Sequence, residues 1–253
     1  MRNKILKFAN FLSFFWLLFP WKIRKLIFTG LFILESRDKE SSRGLSRIFL
    51  IKDKLEWIIN ERALSYGYGL HPKHRLTDYH NFFIQRISDG QTVLDIGCGV
   101  GLVSINIASK LPNSNIIGID INKENINIAK KLLKEKNLEN LDFILGDITK
   151  QKNIKADVVV LSNVLEHIQD RIGFLKNIYL MTGSKKFLIR VPLFERDWQI
   201  PLRKELNIYY FSDFDHKIEH TVEEFKKEMH QSDFSVKELI TIWGEIWAVC
   251  IYE

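Results

Sequence analysis

Cys98 and Cys250 are the only thiols in 253 residues. Two cysteines exclude a disulfide framework and a four-thiolate zinc site. Both sit in apolar runs, as expected in a reducing compartment. No apolar stretch reaches the ~20 residues that a membrane-spanning helix needs. The run Phe11–Phe19 stops at Pro20, and the shorter run Leu26–Leu34 follows the cations Lys22, Arg24 and Lys25. No small-residue cleavage site follows the first run, which argues against a secretory signal. Internal repeats and low-complexity tracts are absent. A hydrophobic fraction of 46% excludes a disordered chain and leaves ample material for a core.

Acid is missing from one place in particular. Residues 1–34 carry Arg2, Lys4, Lys7, Lys22, Arg24 and Lys25 with no Asp or Glu, interleaved with Phe11, Phe14, Phe15, Trp16 and Trp21. The net charge of the whole chain is +6, but residues 1–90 hold 16 basic and 8 acidic side chains against 21 and 23 in residues 91–253. The basic excess therefore belongs to the first third, and the rest is slightly acidic. We read residues 3–34 as two helices lying on a membrane surface or on the body of the protein.

The pattern divides the chain into three stretches. Residues 1–47 are the basic, apolar helical segment, with a polar linker over 35–47. Residues 48–90 are a helical cap, with a helical period over 48–64, a turn-rich stretch from Tyr66 to Arg75 and a helix at about 76–88. Residues 91–253 alternate apolar strands (92–96, 115–120, 141–147, 156–163, 186–192) with helices at about 101–110, 122–136 and 168–181. This spacing predicts an α/β fold, a doubly wound and mostly parallel sheet with helices on both faces. The end differs: 234–243 and 245–252 read as a hairpin around Gly244, which makes the last strand antiparallel. Before it, Thr221-Val-Glu-Glu224 is a capping box opening a helix to about Ser232.

The most informative string is Val93-Leu-Asp95-Ile-Gly97-Cys98-Gly99-Val-Gly101. A buried strand delivers an acid and three glycines where a helix begins. Glycines let backbone approach a ligand closely, and the helix N-terminus adds exposed N–H groups. The dinucleotide fingerprint Gly-x-Gly-x-x-Gly is not met, since the third glycine comes one residue early. An acid ahead of the first glycine would repel pyrophosphate and suits a ligand bearing an ammonium or sulfonium group. Residues 92–253 resemble a class I S-adenosylmethionine-dependent methyltransferase, of the branch acting on oxygen or carbon of small molecules. The resemblance implies a Rossmann-like sheet of seven strands and the cofactor S-adenosyl-L-methionine. It also implies a cofactor site made of Asp95, Gly97, Cys98, Gly99 and Gly101, of Asp120 and Ile121 at the ribose, of Asp147 and Ile148 at the adenine, and of Asn163 at the methionine end. Alone, Asp120 or Asp147 would more often be a helix cap.

Methyl transfer from a sulfonium is an in-line displacement in which the enzyme mainly positions the acceptor. Asn163-Val-Leu-Glu lacks the Asn/Asp-Pro-Pro-aromatic box of base and glutamine N-methyltransferases. Leu165-Glu166-His167 is similar to small-molecule enzymes of quinone, lipid and sugar pathways. His167, just past the fourth strand, is the first expected base. His216 and His220, with Glu219 beside them, are further catalytic candidates; a metal site from these residues stays open, but no ligand spacing here is strong and none is expected. Arg190, Arg196 and Trp198 open a long aromatic insert after the fifth strand, the expected acceptor lid. Tyr66 or Tyr68 is expected over the sulfonium, and His71, His74 and His80 along the entrance.

The leading expectation is methyl transfer to a small-molecule or lipid- or glycan-linked acceptor, with residues 1–34 as a peripheral anchor on the cytoplasmic membrane face. RNA methylation with a basic arm is the alternative, disfavoured because the cations are embedded in apolar runs. A non-catalytic cofactor-binding module is the third reading; the intact glycine loop and acids speak against it.

Overall fold

Apolar residues at helical spacing from the start of the chain build α1 (Arg2–Leu17), α2 (Trp21–Ser36) and α3 (Ser41–Tyr66). The computed structural model describes residues 2–69, 71–78, 80–151 and 154–253. Two compact units appear: residues up to Gly69 together with Glu205–Ile208, and the remainder of the described chain. In the first unit, Pro20 stands at the N-cap of α2, where its missing N–H costs nothing. Trp16 of α1 meets Phe28 of α2 edge to face, with ring centroids 5.5 Å apart. Arg47 of α3 reaches back to Glu35 at 3.2 Å and to Asp38. These pairs tie α2 to α3 across a turn of only four residues. The expected linker over 35–47 is therefore mostly helix, because Ser and Arg are tolerated in an exposed helical turn once such pairs form. No described helix is long and apolar enough to cross a membrane.

The second unit is built on β1 (Thr92–Ile96), β2 (Asn115–Asp120), β3 (Leu141–Leu145), β4 (Val158–Ser162), β5 (Lys186–Pro192), β6 (Phe234–Ile242) and β7 (Glu245–Tyr252). Its helices are α4 (Lys73–Leu76), α5 (Asn81–Ile84), α6 (Leu102–Lys110), α7 (Lys123–Lys136), α8 (Arg171–Thr182), α9 (Gln199–Glu205) and α10 (Val222–Gln231). The helix expected over 76–88 shrinks to α5, and the short α4, ending at Leu76, falls mostly in the stretch read as turn-rich; Asp78 takes a left-handed backbone (φ 48°) between them. The sheet order is β3-β2-β1-β4-β5-β7-β6. β1 to β5 are parallel, whereas β7 pairs antiparallel to both β5 and β6. The hairpin thus inserts its second strand beside β5 and leaves β6 at the edge. Its turn is Trp243-Gly244, both at positive φ (57° and 76°), as a two-residue primed turn requires.

Both faces of the sheet are covered, so its strands read as continuous apolar runs. One core packs Phe174, Leu175 and Ile178 of α8 and Phe225 and Met229 of α10 against Leu94, Val159, Leu161 and Ile189. The other packs Ile105, Ile107 and Ala108 of α6 and Ile126 and Ala129 of α7 against Val93, Val158, Val160 and Leu188. Helix starts are fixed by side chains. Asn122 accepts from the Glu124 and Asn125 amides, Asp170 from Gly173, and the Thr221/Glu224 capping box is complete. The consequence for function is positional: the carboxyl ends of β1, β2 and β4 open on one side, on either side of the switch between β1 and β4.

Candidate functional site

A cleft of about 740 Å³ lies over those strand ends. Its floor is Ile96, Gly97 and Gly99; one wall is Asp120, Ile121, Gly146, Asp147, Ile148 and Thr149; the opposite wall is Asn163, Val164, His167, Ile168 and Asp170, with Asp215 at the rim. A volume of this size holds a cofactor-sized ligand. Only glycine suits two of the loop positions. A Cβ on Gly97 (φ 67°) would sit 2.7 Å from a Val164 methyl, and one on Gly101 (φ 82°) would sit 2.4 Å from the Phe143 ring. The first would fill the cleft floor, and the second would push α6 off β3.

The loop is locked to β2. The Gly97 and Cys98 amides donate to the Ile119 carbonyl at 2.8 and 3.1 Å, and Gly101 N–H to the Cys98 carbonyl at 2.9 Å. Asp120 receives Gly99 N–H on Oδ2 at 2.9 Å and Asn122 N–H on Oδ1 at 2.7 Å. Its carboxylate is thereby oriented at the cleft wall, with a second lone pair left on each oxygen. Asp147 caps the short turn Ile148–Lys150 through the Thr149 amide and hydroxyl at 3.0 and 2.7 Å. Those hydrogen bonds hold its carboxyl below the usual carboxylate range despite some burial. Asn163 is in the left-handed region (φ 58°), and its Oδ1 accepts from Arg190 Nε at 3.0 Å. Of the expected cofactor residues, Gly97, Gly99, Asp120, Ile121, Asp147, Ile148 and Asn163 line the cleft.

Asp95, Cys98 and Gly101 do not line it. Asp95 is enclosed inside β1 and accepts Ser104 Oγ from α6 at 2.5 Å. Burial pushes its carboxyl up to about 7, against the hydrogen bonds from Ser104. Its position supports the loop from behind. Cys98 is buried, which pushes its thiol up and keeps it unreactive.

The histidines divide. His167 lies on the cleft wall with Nδ1 2.9 Å from Asp215 Oδ2. Its ring meets that of His216 edge to face at 4.8 Å. His216 Nδ1 is 3.0 Å from Glu219 Oε1. Burial opposes protonation of His216, yet Glu219 and Glu166 outweigh it, and its pKa is raised. Glu219 is also held by Arg196 and by the Ser212 amide and hydroxyl. His220 corrects the expectation of a second catalytic histidine: it is fully buried, and its Nε2 is 3.1 Å from Glu228, which Arg171 holds at 2.7 Å. That chain fastens α10 to α8 and stands off the cleft.

The expected acceptor residues are also off the cleft wall. Arg190 is buried between Asn163, Glu245 at 3.8 Å and the Trp247 ring. Arg196 is a strut, donating to Glu219, to the Leu193 carbonyl at 2.9 Å and to the Tyr210 carbonyl at 3.1 Å. Trp198 is 70% exposed. Tyr68 is 99% exposed and belongs to the other unit. His80 is buried with Nδ1 2.5 Å from Asn106 Nδ2, and burial lowers it to about 3. His74, its ring tilted against that of His80 at 5.2 Å, falls to about 4 for the same reason. Sequence reasoning passed over Asp215 and the carboxylate of Glu166. The adjacency of Asp215 to His216 was the only available signal.

Residues 87–248 match the family described as a methyltransferase domain. Probable (S)-tetrahydroprotoberberine N-methyltransferase 2 of Papaver bracteatum is 36% identical over 102 residues, 39% of this chain and 28% of that protein. Malonyl-(acyl-carrier protein) O-methyltransferase 2 of Ilyobacter polytropus is 33% identical over 159 residues, 61% of this chain and 59% of that protein. Among solved structures, coclaurine N-methyltransferase bound to N-methylheliamine and SAH superposes with a TM-score of 0.53 at 22% identity, over 66% of this chain and 51% of that one. The chain thus spans less than two thirds of the length of each of these relatives. Because the family match covers more than half of the chain and coincides with its parallel sheet and glycine loop, the chain belongs to the methyltransferase domain family, within the class I S-adenosylmethionine-dependent methyltransferases.

Proposed function

We propose that the protein transfers a methyl group from S-adenosylmethionine to an oxygen of a small-molecule acceptor at a membrane surface. The observation that carries the cofactor part is the Asp120 carboxylate. It is aimed at the cleft by two backbone N–H groups, next to a loop whose Gly97 leaves room that any side chain would fill. Bound there, the cofactor supplies a methyl group already activated by its positive sulfur. Asp120 accepts the ribose hydroxyls, Asp147 and Ile148 border the adenine, and the Gly97–Gly99 backbone carries the methionine end. Asn163 and His167 then face the acceptor. Calorimetry with S-adenosylhomocysteine tests this directly: stoichiometric binding is expected, and no heat at high micromolar concentration would end the reading.

One observation supports oxygen as the acceptor atom: His167 lines the cleft with Asp215 beside it, and an imidazole there can take the proton that a hydroxyl acceptor must lose. Methyl transfer from labelled cofactor to hydroxylated lipid and glycan extracts, against amine-only acceptors, separates the two chemistries.

The membrane part rests on the first unit. Phe8, Phe11, Phe14, Leu18, Trp21 and Leu26 are all more than 60% exposed, beside Lys22, Arg24 and Lys25 and with no acid before Glu35. Apolar exposure on this scale marks an interaction surface. The charge selects an anionic lipid surface as its occupant.

A further inference from the structure

Three groups meet beside the cleft from places 50 residues apart in the chain. Glu166 and His167 lie in the short turn after β4, and His216 in the loop before α10. The Lys217 amide donates to the Glu166 carbonyl at 2.7 Å and fastens that loop to the turn. As a result a carboxylate oxygen of Glu166 and one ring nitrogen of each histidine lie within 4.8 Å of one another.

Glu166 cannot be explained by packing. Its side chain is fully buried, and neither carboxylate oxygen has a hydrogen-bond partner among the described residues. A carboxylate in that position is costly unless it meets a cation, and no described Lys or Arg forms an ion pair with it at 4 Å or less. The two histidines carry a second sign. Nδ1 of His167 faces Asp215 at 2.9 Å, and Nδ1 of His216 faces Glu219 at 3.0 Å. Only the His216 contact is a hydrogen bond, and it orients that imidazole as an outer-shell carboxylate orients a metal ligand; Nδ1 of His167 is buried with no hydrogen-bond partner among the described residues, a further orphaned polar atom in the cluster.

We propose that Glu166, His167 and His216 bind one divalent transition-metal cation whose remaining coordination positions open on the cofactor cleft. Two imidazoles and one carboxylate suit manganese, iron, cobalt or zinc rather than calcium. Bonds of about 2.0–2.2 Å put the ligand atoms of a tetrahedral or facial octahedral site about 3–3.6 Å apart, so the widest pair closes by about 1–2 Å, a side-chain rotation, when the ion binds. Three protein ligands leave a position for substrate, and His167 and Asp215 put it at the cleft rim. The role of the ion rests on the methyltransferase reading; its binding does not. With His167 ligating the ion it no longer serves as the base, and an acceptor hydroxyl held by the ion gives its proton to water. Its oxygen then forms the new bond to the methyl carbon as the carbon–sulfur bond breaks, and that electron pair stays on sulfur.

The test uses the untagged full chain, stripped with chelator and titrated with Mn²⁺ by electron paramagnetic resonance and with Co²⁺ by absorbance. One ion per chain at low micromolar affinity is expected. Glu166→Gln and His216→Ala should each weaken it more than about tenfold. Thermal melting and S-adenosylhomocysteine binding establish that each variant is folded; if Glu166→Gln is not, His216→Gln replaces it. No stoichiometric ion at about 100 μM, or equal affinity in Glu166→Gln and His216→Ala, overturns the proposal. Cofactor product bound without an ion sinks the metal site alone, whereas an ion bound without cofactor product sinks the methyltransferase reading alone.

Discussion

The Gly99 backbone N–H donates to Asp120 Oδ2 at 2.9 Å, so the loop that ends β1 aims the acid that ends β2. Two elements brought side by side by the parallel register share one hydrogen bond, and the cleft depends on both. Asp120→Ala should therefore weaken S-adenosylhomocysteine binding about tenfold or more, by losing the ribose acceptor and loosening the loop together. Asp120→Asn, which keeps an acceptor oxygen, should fall between. Calorimetry gives both values, and an unchanged affinity in Asp120→Ala would mean that the ribose lies elsewhere.

Gly101 is the tightest of the loop positions. A methyl there meets Phe143 and Ala129 and also requires a left-handed backbone. Gly101→Ala should cost about 2–4 kcal/mol of stability, visible as a lower Tm. Gly97→Ala should add loss of cofactor affinity, since its methyl projects at the cleft floor beside Val164.

His167 and His220 predict opposite phenotypes. His220→Ala leaves Oε1 of Glu228 without its buried partner, though Arg171 still holds Oε2, and should cost about 1–3 kcal/mol with cofactor affinity unchanged. His167→Ala should leave Tm within a degree or two but lower turnover about a hundredfold. Melting curves and single-turnover assays on the two variants check the pair; a stable, inactive His220→Ala would return that residue to the site.

Glu228 makes stability depend on acid. Burial alone would raise its pKa, but the contacts with His220 and Arg171 outweigh it, and the folded value lies below 4.5. The stabilisation is therefore complete above about pH 4.5 and is lost as the pH falls through the folded value. Urea titrations between about pH 3 and 7 should show a steeper acid-side decline for the native chain than for Glu228→Gln.

Reversing Lys22, Arg24 and Lys25 to Glu should lower recovery in flotation with anionic liposomes and make the remainder insensitive to salt. Each cation near such a surface contributes about 1 kcal/mol. Equal recovery with neutral and anionic vesicles would exclude the charge-selected anchor.

Much of the catalytic unit was legible along the chain. β1, β2 and β5 fall at the expected residues because buried strands are short apolar runs between turn residues, and the Thr221 capping box opens α10 as read. The segment 76–88 was not legible, since its helical period continues through Asp78 while the backbone there turns left-handed. Residues 41–47 misread for the opposite reason: their polar composition resembles a linker, and the ion pairs from Arg47 that accompany the helix lie across the turn.

The site divides along the same line. Local pattern marked the glycine loop, because backbone geometry and strand alternation are encoded in neighbouring residues, and the family resemblance picked out the acids at the ends of β2 and β3. Only the tertiary structure decided that His167 meets Asp215 and that Glu166 meets His216, while His220 turns away to Glu228. Those partners are brought together by an aperiodic loop and by the packing of α10 on α8. No spacing rule reaches across such a loop, so the chemistry beside the cleft had to be read from the folded chain.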